Sequence, residues 1–167
     1  MASGATELHP VERMVFFTDA VVAIAMTLLI LPLLESVSDA ASAGSDTVGY
    51  VREHDGQLFA FALSFVIIAV FWRSHDRLFE HVRAQDGVVF WLNLAWMFTI
   101  VWLPVATALV GTMETEPLQL VVYIGTMLAC SLLLLGMQLW LRAHPHLVRA
   151  DAPVGRHATA SMVITSG

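Results

Sequence analysis

Arg13 to Leu34 reads RMVFFTDAVVAIAMTLLILPLL, and the twenty residues from Val15 to Leu34 carry one charge, Asp19, and no glycine. At about 1.5 Å of rise per residue, an α-helix of that length reaches about 30 Å, the hydrocarbon thickness of a bilayer. The run is too long and too polar at its start for a signal-peptide core, and no small-residue cleavage pattern follows it. It reads as a first transmembrane helix. Ile24, Leu28 and Leu31 fall at i, i+4 and i+7 and share one face, with Thr27 beside them. Ala20, Ala23 and Thr27 put small side chains on the same side, where a neighbouring backbone can approach. Asp19, about one turn inside the apolar run, is costly in lipid and needs protein or water around it. A helix-start cap by Thr18 or Asp19 is the plainer alternative.

Outward from this stretch, three more apolar runs follow: Leu58 to Trp72, Val88 to Val110 and Leu118 to Leu141. The second run is short for a full crossing, so its helix is expected to extend into polar sequence at both ends. Helices are expected at about 13–34, 56–80, 88–110 and 117–142, between a polar tail at 1–12 and the start of a possible fifth helix at 158–167. Residues 35–56, rich in Ser, Ala, Gly and Asp, read as an acidic loop. The fold class is an all-α polytopic transmembrane bundle.

Composition agrees. The chain is 57% hydrophobic and 13% charged, against about 25% charged in a soluble domain. Every basic residue is arginine. With the N-terminus in the cytoplasm, Arg13, Arg73, Arg77, Arg83, Arg142, Arg149 and Arg156 lie inside and only Arg52 outside. That asymmetry fits the positive-inside rule and predicts a multi-pass protein with a cytoplasmic N-terminus.

Enzyme chemistry finds no foothold. No phosphate loop, dinucleotide fingerprint, zinc set or nucleophile–base pair is present, so no catalytic residue, cofactor or nucleic-acid partner is expected. His144 and His146 resemble half a metal site without a third ligand. The single cysteine, Cys130, excludes an intrachain disulfide and reads as a packing residue. Thr47-Val48-Gly49-Tyr50 matches four residues of the potassium-channel filter. Val51 stands where its last glycine belongs and no pore-helix pattern precedes it, so the match reads as coincidence.

Arg13, Phe17, Thr18 and Asp19 form an Arg-x-x-x-Phe-Ser/Thr-Asp pattern, followed by FWRSHDRLF at 71–79 and LNLAWMFTIVWLPVATALVG at 92–111. In this order the three segments resemble the transmembrane protein 175 family of potassium channels, with threonine replacing the family's serine. The resemblance implies six helices per subunit, a homo-oligomer (a tetramer) in a bacterial inner membrane, and potassium as permeant ion. It also implies a central pore lined by the first helices, with Ile24 innermost, Leu28 and Leu31 toward the outside, and Thr27 beside the narrow point. Arg13, Phe17, Thr18, Asp19, His75 and Asn93 would then form a structural polar network holding the pore helix. The runner-up is a proton-coupled secondary transporter in which Asp19 and His75 titrate. A non-conducting membrane scaffold ranks third.

Overall fold

In the computed structural model, which describes residues 10–113 and 116–148, the α-helices are α1 Pro10–Leu28, α2 Leu31–Ser42, α3 Thr47–Glu53, α4 Asp55–Phe79, α5 Gly87–Thr112 and α6 Pro117–Ala143. The stretch Pro10–Ser42, then α4, α5 and α6, are each long and apolar enough to cross a bilayer. The chain is thus an all-α, multi-pass membrane protein. Most of the expected N-terminal tail, Arg149, Arg156 and the expected helix at 158–167 lie outside the described residues.

Two expectations need correction. The first span is not one helix over 13–34 but two helical segments meeting at Leu29 and Ile30. Pro32 explains the break: it has no N–H to donate to the carbonyl of Leu28 and its ring crowds that carbonyl. Proline is tolerated in the first turn of a helix, so α2 starts at once. Leu31 therefore opens α2, while Ile24 and Leu28 belong to α1. Residues 35–56 are also not a loop. α2 runs on to Ser42, and α3 occupies Thr47–Glu53.

Pro10–Ser42 spans 33 residues. At helical rise that is about 50 Å, well beyond the hydrocarbon thickness, so the polar end of α2 projects past it. Thr47-Val48-Gly49-Tyr50 lies inside α3, capped by Asp46, whose carboxylate accepts the Gly49 N–H at 2.7 Å. The Tyr50 carbonyl accepts from His54 N–H at 3.0 Å, so it serves the helix. The Tyr50 hydroxyl meets Ser36 Oγ at 2.9 Å and ties α3 to α2. The Gln57 amide donates to the Pro32 carbonyl at 3.1 Å, fastening the start of α4 to the break.

The core sits along α5, which packs against α1, α4 and α6. Val89, Asn93, Trp96, Ile100, Leu103 and Ala106 are buried at spacings of three and four, the stripe that one helix face presents. Toward the C-terminal end of α5, Thr107 Oγ1 lies 2.8 Å from Ser64 Oγ and 2.8 Å from the Leu103 carbonyl, and Ser64 Oγ lies 2.9 Å from the Tyr123 hydroxyl. Three hydroxyls with one proton each can run from Tyr123 to the Leu103 carbonyl with no donor wasted. The chain links α4, α5 and α6.

At the opposite end, the turn after α4 is sewn to the segment that follows α6. Val82 and Val148 form an antiparallel bridge, and Arg83 N–H donates to the Leu147 carbonyl at 2.9 Å. Asp86 caps α5 by accepting the Val89 N–H at 2.9 Å, and its other oxygen accepts Trp140 Nε1–H at 2.9 Å. The Val89 hydrogen bond, helped by that of Trp140, holds the Asp86 carboxyl below its ordinary value of 3.8. A carboxylate with a depressed folded-state pKa stabilises the fold above its unfolded value and loses that contribution as pH falls through the folded one. Asp86→Ala is therefore expected to lower the thermal midpoint most near pH 6, with the gap from wild type shrinking toward pH 3. A gap independent of pH in detergent-solubilised protein contradicts this role.

Candidate pore-lining face and its polar anchor

Helix α1 has two different sides. Val11, Met14, Thr18, Val22 and Ala25, followed by Leu29, are buried at spacings of three and four and face the rest of the bundle. On the other side Ile24 is 58% exposed, Leu28 39% and, at the start of α2, Leu31 48%. Ala20, Ala23 and Thr27 are exposed beside them. No helix of the same subunit covers this strip among the described residues. Thr27 donates its hydroxyl proton to the Ile24 carbonyl at 2.7 Å, which leaves only oxygen lone pairs to face outward. The strip is thus aliphatic with one acceptor in its middle.

What turns this side outward is a buried relay at the α1 end nearest Arg13. His75 Nε2 donates to Asn93 Oδ1 at 2.7 Å, Asn93 Nδ2 donates to Thr18 Oγ1 at 2.9 Å, and Thr18 Oγ1 donates to the Met14 carbonyl at 2.9 Å. All three side chains are buried. Each donor along the path meets one acceptor, and the amide of Asn93 joins His75 to Thr18 because its oxygen accepts while its nitrogen donates. The His75 ring is stacked between Phe79 and Trp96, with centroids 4.4 and 4.5 Å away. Helices α1, α4 and α5 meet in this relay.

Asp19 is held separately. Its carboxylate accepts the Trp72 Nε1–H at 2.8 Å, a second tie between α1 and α4. Thr18 and Asp19 are successive, so their side chains point about 100° apart, one toward α5 and one toward α4. The expected six-residue network is therefore not one cluster. Thr18, Asn93 and His75 come together, and Asp19 sits apart with Trp72. Arg13 and Phe17 point away from the bundle, Phe17 at 59% exposure. Arg13 makes no ion pair or hydrogen bond among the described residues.

From sequence Trp72 reads as a belt or packing residue, because tryptophans near span ends usually belong to interfacial belts. Its place three residues before His75, on the same helix side, was the available signal. Among the described residues no three metal-ligating side chains converge, and His144 and His146 meet only ring edge to ring face. No direct hydrogen bond joins Asp19 to His75, so the two groups of the transporter reading are held by different partners.

A family model described as endosomal/lysosomal potassium channel TMEM175 matches residues 13–104. A protein named potassium channel from a Chryseobacterium species is 30% identical over 100 residues, 60% of this chain and 48% of the relative. A human protein named endosomal/lysosomal proton channel TMEM175 is 33% identical over 107 residues, 64% of this chain and 21% of the relative. A protein named potassium channel from Streptomyces collinus is 28% identical over 155 residues, 86% of this chain and 71% of the relative. The matched parts thus amount to about half the length of the first relative and about a fifth of the second.

Asn93→Leu keeps the volume of the amide but not its two-ended bonding, and it strands the His75 donor in the core. An unmet buried donor costs about 1–3 kcal/mol. The variant is expected to unfold or dissociate at a correspondingly lower temperature in detergent. A melting profile like that of wild type contradicts the anchoring role.

Proposed function

The chain belongs to the TMEM175 family of channels, and on that footing we propose that it forms a potassium-permeable pore by assembling around the exposed side of α1. The observation that carries this reading is the outward strip of Ile24, Thr27, Leu28 and Leu31, left uncovered among the described residues. Copies of the chain bring these strips to a shared axis, four of them in the reading that the family resemblance suggests. The small side chains Ala20 and Ala23 permit close approach of the helices there.

Selectivity then needs no carbonyl cage. A ring of Ile24 side chains, with Leu28 and Leu31 beyond, narrows the axis, and apolar walls return little of the energy an ion loses with its water. Potassium sheds hydration water more cheaply than sodium, so a tight apolar neck favours it modestly. Thr27 supports this arrangement because its proton is already engaged, leaving an acceptor beside the neck. The protein acts in the bacterial inner membrane with its N-terminus and most arginines on the cytoplasmic side.

The bacterial relatives are named potassium channels and the human relative a proton channel. Liposomes holding the purified oligomer separate these activities when potassium, sodium and proton fluxes are read in parallel. Potassium flux exceeding sodium flux is expected. Ile24→Ala removes three carbon atoms per subunit from the neck and is expected to raise sodium flux toward that of potassium. Unchanged selectivity in a correctly assembled Ile24→Ala channel contradicts Ile24 as the narrow point.

A further inference from the structure

A groove of about 940 Å³ runs between α4 and α6, on a different part of the bundle from the α1 strip. Its character changes along its length. One end is aliphatic and aromatic, formed by Val70, Phe71, Leu134 and Leu135. The other end carries Arg77 and Arg142, with His81 beside them, at the C-terminal ends of α4 and α6. From Val70 to Arg77 is about 10 Å along the helix, so the apolar end reaches into hydrocarbon while the arginines sit at the headgroup level. No carboxylate lines the groove among the described residues. Neither arginine makes an ion pair or hydrogen bond among them, whereas Arg73 on the same helix is paired with Asp76 at 2.8 Å.

We propose that this groove is a binding site for an anionic glycerophospholipid, its phosphate held by Arg77 and Arg142 and an acyl chain laid along Val70, Phe71, Leu134 and Leu135. Two guanidinium groups with no partner among the described residues call for an anion at a membrane surface, and phosphate oxygens match their donor geometry. The apolar end needs a hydrocarbon occupant, and a phospholipid carries both in the right order. A second copy docked by two-fold symmetry would instead bring four arginines together, which is repulsive. The bound lipid bridges two helices whose following segments already pair through Val82 and Val148, and so adds a tie between α4 and α6.

The test is native mass spectrometry of the assembled protein released from nanodiscs containing equal phosphatidylglycerol and phosphatidylcholine. Wild type is expected to retain phosphatidylglycerol preferentially. Arg77→Gln and Arg142→Gln should each weaken that preference about fivefold, the effect of one basic residue near an anionic surface. Arg83→Gln, which removes an exposed arginine outside the groove, should leave it nearly unchanged. Leu134→Trp fills the apolar end without touching charge and should expel the lipid while the oligomer and its helix content persist. Equal retention of both lipids overturns the proposal, as does an Arg83→Gln effect as large as that of Arg77→Gln. Absence of retained lipid also overturns it, and indicates a protein segment covering the groove. A thermal midpoint that rises with added phosphatidylglycerol in wild type but not in the double arginine variant gives an independent reading.

Discussion

One amide holds the arrangement together. Asn93 accepts from His75 and donates to Thr18, and through it α5 sets the rotation of α1 about its own axis. In hydrocarbon, apolar side chains alone specify that rotation weakly, because lipid tails are as apolar as leucine. Buried hydrogen bonds do specify it, since a slip of one residue would strand a donor where no water can satisfy it. With Thr18 turned inward, Ile24 and Leu28 must face out. The second tie, between Asp19 and Trp72, limits tilt toward α4 in the same way.

Such an arrangement separates the jobs of different parts of α1. Its N-terminal half is fixed to its own subunit by polar contacts, while its middle presents an aliphatic strip uncovered among the described residues. The break at Leu29 and Ile30, forced by Pro32, then redirects the chain into α2, which is anchored to α3 through Ser36 and Tyr50 and to α4 through Gln57. In the proposed pore, the neck is therefore bounded on one side by the hydrogen-bonded relay and on the other by the break. An apolar neck works only if its width is held, and fixing the helix at both ends does that.

Much of this was legible from residue order, and the reasons differ by element. The four crossings follow from apolar length, and the extension of α4 beyond Leu58 to Trp72 follows from the short run that needed it. Asn93 stands about one turn into the third apolar run, where an amide needs a partner. The helices in residues 35–56 leave little trace in the sequence because serine, alanine and aspartate give no apolar periodicity, although alanine favours helix and proline is harmless in a first turn. Arg13, Asp19 and His75 were grouped by sequence motif, yet which helix each one faces depends on rotation, and composition does not encode it. Trp72 was hidden for the opposite reason, since its residue type has a common interfacial role that fits any span end.

The central claim is that Ile24 faces water shared between subunits rather than lipid. An Ile24→Cys variant with Cys130→Ser in the background tests this directly, because Cys130, the only native cysteine, is removed. A small, charged, membrane-impermeant thiol reagent applied to reconstituted channels is expected to modify Cys at this position and to suppress potassium flux. Labelling confined to lipid-soluble reagents, with flux unaffected, contradicts the account.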